Sequence, residues 1–231
     1  MLKWIVPAVA LFAAMPAWAD GDGTGMPHGS ACGIASSTVS AVQKTLSQVV
    51  QSGNGGLFKP NLMWSAVVDR TGVLCSVIST GDAWPGSRAI AIAKASTAND
   101  FSNDQLAIST ANLYSPTQPG GSLYGLNNSN PFNPFFLPQT IGVGFVPGGI
   151  ITFGGGVALY SGGKVIGGLG VSGDTSCTDH AIAYRMRHAA GLDAIPGGPG
   201  LNGTDNIVYI PSGQSPSGYE HPHCLPTDVT P

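Results

Sequence analysis

The chain has 231 residues, 42% hydrophobic and only 9% charged, with 9 basic against 12 acidic side chains and a net charge of −3. A weakly acidic, charge-poor chain without a basic cluster argues against a nucleic-acid partner. The 34 glycines and 18 prolines imply many turns and extended loops, and no repeat of fixed period points to a solenoid or propeller.

Residues 1–19 read as a signal peptide: Lys3 gives the basic start, Trp4 to Met15 the apolar stretch, and Ala17-Trp18-Ala19 the cleavage pattern. The apolar run is shorter than the ~20 residues a spanning helix needs and is interrupted by Pro7, so no stable membrane span is expected after cleavage. A periplasmic or secreted location follows. The four cysteines, Cys32, Cys75, Cys177 and Cys224, are an even number for such an oxidising compartment, and no C-x-x-C is present. Four cysteines allow three pairings. Cys177 with Cys224 is favoured because it would pin the tail to the domain, which leaves Cys32 with Cys75.

Residues 20–33 form a glycine-rich, flexible leader, and a domain over 34–192 follows. Its first helix shows Val39, Val42, Leu46 and Val49 at helical spacing, with Ser37 or Thr38 as cap. Two strands, Met63 to Val68 and Val73 to Ile78, are joined by the turn Asp69-Arg70-Thr71-Gly72. A second helix from Ser87 to Phe101 puts Lys94 on the same face as Ile90, Ala93, Thr97 and Phe101, among small residues that suggest close packing. Leu106 to Leu113 reads as a short helix. The 115–149 segment is a loop insertion whose prolines space out Phe132, Phe135 and Phe136, the composition of a cover over a pocket or interface. Ile150 to Phe153 reads as a strand. It leads into a hairpin turning at Ser161-Gly162-Gly163 and then a helix from near Cys177 to Gly191. Residues 193–231 are an irregular tail with one strand-like run at Ile207 to Ile210. The expected fold is α+β, an antiparallel sheet with helices packed on it in the order α-β-β-α-β-β-β-α.

Gly168-Leu169-Gly170-Val171-Ser172-Gly173 satisfies the dinucleotide G-x-G-x-x-G formally, but its strand belongs to an antiparallel hairpin and no acidic strand end follows. The glycines instead let the second helix or a flat ligand approach the sheet. Ser176 and Asp179 have capping-box spacing, and His180 beside them is a candidate axial ligand or polar pocket residue. The His221-Pro222-His223 run lacks the further ligands of a closed metal site. No G-x-S-x-G elbow and no pair of carboxylates at a cleft point to a hydrolase, so no catalytic residue is assigned.

The runs Gly155-Gly156-Val157-Ala158-Leu159-Tyr160, Gly163-Lys164-Val165-Ile166-Gly167-Gly168-Leu169-Gly170-Val171-Ser172-Gly173 and Asp179-His180, with Ala91-Ile92-Ala93-Lys94-Ala95-Ser96-Thr97-Ala98 before them, resemble the haem-binding GlcG/HbpS family. The resemblance covers roughly 37–192 and implies a profilin-like domain with an extra N-terminal helix. It also implies a small homo-oligomer, and haem or a related tetrapyrrole as ligand, bound or assisted in its storage or breakdown. By motif it places Lys94, Thr97, Gly170, Ser172 and Asp179 in the pocket; Arg88 and Lys94 are then cations for propionates, and His180 the local axial candidate. Two other readings stand beside it. One is an enzyme or sensor for a small, glycolate-like organic acid at the same cleft; the other is a structural oligomer without ligand.

Overall fold

The computed structural model describes residues 29–133, 135, 142–210 and 218–231. Residues 1–19, read as a signal peptide, and most of the segment read as a leader therefore lie outside the described residues, as does Phe136. A four-stranded antiparallel sheet in the order β2-β1-β4-β3 is built from β1 (Trp64–Asp69), β2 (Leu74–Ser79), β3 (Gly156–Ser161) and β4 (Lys164–Ser172). Three long helices flank it: α1 (Ser36–Val49), α2 (Ser87–Asp100) and α4 (Ser176–Ala189); α3 (Tyr114–Thr117) is a single turn. The result is the expected α+β fold with an N-terminal helix.

Both faces of the sheet are covered. On one face Val67, Leu169, Val171, Val157 and Leu159 meet Val42 and Leu46 of α1 and Ile182 and Met186 of α4 in one core. On the other face Ala66, Val68 and Leu74 pack against Ala91, Ile92 and Ala95 of α2. Helices on both sides explain why the central strands read as near-continuous apolar runs rather than alternating ones.

Local chemistry sets the corners. Gly72 (φ 84°) closes the β1–β2 turn, and Asp69 takes the N–H groups of Thr71 and Val73 there. Gly162 (φ 58°) and Gly163 (φ 75°) form the two-residue β3–β4 turn that left-handed residues favour. Cys32 bonds Cys75, tying the leader to β2, and Cys177 bonds Cys224, tying the tail to α4, with S–S distances of 1.97 and 2.03 Å.

Three expectations change. Ile150 to Phe153 is not a strand, because its backbone is used elsewhere: the Ile151 N–H donates to Thr97 Oγ1 at 2.9 Å. Leu106 to Leu113 is a run of turns, since Asn103 Oδ1 takes the N–H groups of Gln105 and Leu106, and Ser109 and Asn112 bond each other. Helix α1 begins at Ser36 with Ala35 at the cap position and no side-chain cap, two residues before the nearer of the caps the sequence suggests. The tail, read as irregular, carries a short parallel ladder in which Tyr209 of β5 (Tyr209–Ile210) pairs with His221 of β6 (His221–Pro222).

Candidate functional site

The glycine-rich strand is where α2 lies down. Across three strands, Ala66, Gly170 and Gly156 stand side by side, and so do Val68, Gly168 and Ala158. This floor of small residues lets the helix backbone touch the sheet. A methyl on Gly170 would sit 2.0 Å from the Ala91 carbonyl oxygen, and one on Gly168 2.1 Å from that of Ala95. The glycines therefore admit the helix, and no flat slot remains between α2 and β4 for a second guest.

At the open end of this wedge Lys94 reaches across to α4. Its ammonium donates to Asp179 Oδ2 at 2.7 Å and to the Val171 carbonyl at 3.1 Å, and lies 4.9 Å from the centre of the Phe153 ring. Asp179 Oδ1 accepts the N–H groups of Gly173 and Asp174 at 3.1 and 3.0 Å, which fixes the turn after β4. Burial opposes both charges, pushing Asp179 up to about 6 and lowering Lys94, while their contact pulls each the other way. The helix cap is Thr175, whose hydroxyl accepts from the Thr178 N–H; Ser176 opens the helix instead, and Asp179 turns to Lys94 rather than closing a capping box.

The neighbouring turn is anchored from the other side. Asp174 takes the N–H groups of Leu57, Phe58 and Thr175, so the 57–61 loop is strapped to the glycine turn. Thr97 donates to the Ala93 carbonyl at 2.7 Å while accepting from Ile151, and holds the 149–151 segment against α2. Ser172 and Arg88 are buried, Arg88 in the first turn of α2.

His180 lies under the tail with no exposed surface. Its Nε2 is 3.2 Å from Asn206 Oδ1 and 3.1 Å from the Ile207 nitrogen, and the Ile207 N–H reaches Asn206 Oδ1 at 2.8 Å. Nε2 is thus held between the Asn206 side chain and the Ile207 N–H, and Nδ1 is buried without a hydrogen-bond partner among the described residues. Burial drives the imidazole down to about 3, so it is neutral. Two turns further along α4, Arg187 makes a bidentate pair with Asp205 at 2.6 Å on each arm and clamps the start of the same tail segment.

The structure thus brings Lys94, Asp179, Thr97, Gly170 and Ser172 to one wedge, with His180 one residue beyond Asp179 on α4. All are buried, and the main grooves among the described residues are lined by other side chains. The grooves lie elsewhere: one of about 760 Å³ runs between Ser36 and Val39 of α1 and Ser76 of β2, and one of about 570 Å³ lies among Arg70, Asn103 and Lys164. Haem does not fit at the wedge in this closed form. The His180 ring is wholly buried and its Nε2 is covered by Asn206 and Ile207, and the space a porphyrin would take is filled by α2.

Exposed apolar surface is found instead beside the start of α2. Trp84 is 52% exposed and Leu57 58% exposed. Phe58 meets Trp84 edge-on at 5.5 Å, and the Trp64 indole N–H donates to the Trp84 carbonyl at 2.9 Å. Sequence reading missed this apron because its residues are dispersed over a loop, a strand and a turn. The signal within reach was that both tryptophans of the described residues fall within 21 positions of each other.

Comparison with known proteins places the fold. A structure described as a PduOC:heme complex is 25% identical with a TM-score of 0.53, covering 70% of this chain and 98% of that one. The Klebsiella pneumoniae protein ORFY is 26% identical with a TM-score of 0.48, covering 67% of this chain and 85% of its own. A double mutant of Streptomyces reticuli HbpS is 16% identical with a TM-score of 0.45, covering 80% and 96%. No curated protein matches. The family model described as haem degrading protein HbpS-like matches residues 59–187, from the loop before β1 to the last turn of α4, and over that majority of its length the chain belongs to the HbpS-like haem-degrading family.

Proposed function

We propose that this protein is an exported, homo-oligomeric binder of haem or a related tetrapyrrole that assists its storage or breakdown. The observation that carries the reading is the likeness, at 25% identity over 98% of its length, to a protein solved as a heme complex. Two disulfides fit a protein folded in an oxidising compartment. No helix among the described residues is long and apolar enough to cross a membrane.

In the closed form the ligand rests on the apron of Phe58, Trp64 and Trp84, where indole and phenyl faces offer a porphyrin its apolar contact. The wedge of Lys94, Thr97, Gly170, Ser172 and Asp179 stands behind that apron as the rigid wall that α2 is seated on. Arg88, in the first turn of the same helix, is the cation nearest in sequence to Trp84. His180 becomes an axial ligand only if the tail segment around Asn206 and Ile207 lifts. Bound haem would supply an iron centre and a planar hydrophobic face; the chain's own part is to hold it and exclude water. The small-acid reading finds no support at the wedge, because the Lys94 ammonium that would take a carboxylate is already neutralised by Asp179.

Titrating the purified protein with hemin tests the proposal. A saturable, red-shifted Soret band at one hemin per chain is expected, and difference spectra that match hemin in buffer across the micromolar range would remove it.

A further inference from the structure

The tail and the start of α4 bring together a second group of chemistry-bearing side chains. The ligand atoms of Cys177, His221 and Cys224 all lie within 4.8 Å of one another. In sequence, His221 stands in a tail without partners; the fold supplies them by laying β6 beside β5 and closing the Cys177–Cys224 bond.

His221 is buried at 1% exposure, packed 4.8 Å from the Tyr114 ring. Its Nδ1 lies 2.7 Å from the Pro222 carbonyl oxygen. A carbonyl only accepts, so Nδ1 carries the proton, with Cys177 Sγ 3.9 Å from it, and Nε2 keeps its lone pair, near which stand two long contacts, the Gly154 N–H at 3.3 Å and Ser176 Oγ at 3.4 Å. A ring N–H held by a backbone carbonyl is how metal-binding histidines are oriented, with the other nitrogen left for the cation. Ser176 Oγ sits between the donors, 3.4 Å from His221 Nε2 and 3.3 Å from Cys224 Sγ.

We propose that reduction of the Cys177–Cys224 bond converts this corner into a binding site for a thiophilic d¹⁰ cation such as zinc(II), held by two thiolates and the His221 imidazole, with Ser176 Oγ or water in the fourth position. A dithiol reductant supplies two electrons and two protons: its own thiols become a disulfide as the Cys177–Cys224 bond breaks into two thiols. Cation binding then releases the two thiol protons to solvent. The Cα atoms are 6.0 Å apart, which suits two sulfurs about 3.8 Å apart on a tetrahedral ion with bonds of about 2.3 Å. In the oxidised form neither sulfur is a thiolate, so the bond is the gate. The site stands whether or not the protein binds haem.

The other cysteine pair supplies an internal control. Asp69 lies near Cys32 and Cys75, but its oxygens already accept from Gly33, Thr71 and Val73.

The test measures zinc(II) affinity by competition with a chromophoric chelator, on oxidised protein and on protein reduced anaerobically with a phosphine. One zinc per reduced chain and none per oxidised chain is expected. His221→Ala, which keeps both disulfides and can be checked for folding before reduction, should weaken the reduced site about 100-fold or more. The paired Cys32→Ser, Cys75→Ser variant should bind as wild type. Cobalt(II) in place of zinc should give thiolate charge-transfer absorption that Cys224→Ser abolishes. Zinc should also raise the melting midpoint of the reduced protein and not of the oxidised one. Equal zinc uptake in both redox states, unchanged affinity in His221→Ala, loss of binding on removing Cys32 and Cys75, or no rise in the reduced midpoint would each overturn the site.

Discussion

Lys94 of α2 and Asp179 of α4 meet at the end of β4, Nζ to Oδ2 at 2.7 Å, with essentially no solvent on either side chain. The pair joins the helix on one face of the sheet to the helix on the other. Removing one partner strands a buried charge, so Lys94→Met and Asp179→Asn should each lose about 3–5 kcal/mol of unfolding free energy in urea. Lys94→Met with Asp179→Leu should recover part of that loss, though not all, because the Gly173 and Asp174 N–H groups then lack their acceptor. Additive losses in the double variant would contradict the coupling.

The contact between α2 and the sheet makes a second prediction. Gly170→Ala places a methyl 2.0 Å from backbone that cannot yield without moving the helix, and should cost about 3 kcal/mol or more, at or above the usual range for overpacking. Gly53→Ala meets nothing within 4 Å and should be near neutral. Chemical denaturation of the two variants side by side checks this.

His180 makes stability depend on pH. Its folded-state pKa, about 3, lies below the ordinary 6.5 because burial disfavours the cation. The unfolded chain therefore binds the proton first, and the stability His180 contributes is present above about 6.5 and drains as the pH falls toward 3. The slope should be roughly 1.4 kcal/mol per pH unit between about 6 and 4 from this group, and His221, also lowered by burial, adds in the same direction. His180→Gln should flatten the melting midpoint against pH over that window. An unchanged profile would mean that another group sets it.

Hemin binding should respond differently to two substitutions. Trp84→Ala removes half-exposed aromatic surface and should weaken hemin about fivefold while leaving the melting midpoint within a few degrees, since a lost stacking contact is worth about 1 kcal/mol. His180→Ala should leave the affinity in place if the ligand rests on the apron. If instead the Soret band shifts in His180→Ala, the tail opens and His180 reaches the iron.

The hairpin, α2 and the inward Lys94 were legible in the sequence because each rests on local chemistry: two glycines at a turn, apolar residues at helical spacing, one cation among alanines. What the residues could not say alone was which guest the glycine floor receives. Both a helix and a flat ligand require missing side chains, and only the approach of the Ala91 and Ala95 carbonyls decides between them. The environment of His180 was illegible for another reason. Its partners Asn206 and Ile207 come from a tail without periodicity, steered there by Arg187 and Asp205, 18 residues apart. The Thr175 cap went unseen because Ser176 and Asp179 offered a competing pattern, and Asp179 was claimed by a lysine 85 residues away.

The loop that returns to β2 has a meaning for how this protein avoids pairing with its neighbours. Leu74 donates to the Phe145 carbonyl and accepts from the Gly144 N–H, both at 2.8 Å, so the outer strand is already partnered where it leaves the turn. Cys75, next along, is fastened to Cys32. An outer strand left bare over its whole length would invite neighbouring chains to add on. With Leu74 occupied and the next residue cross-linked to the leader, the start of β2 is covered and the stretch that could recruit another strand is shortened.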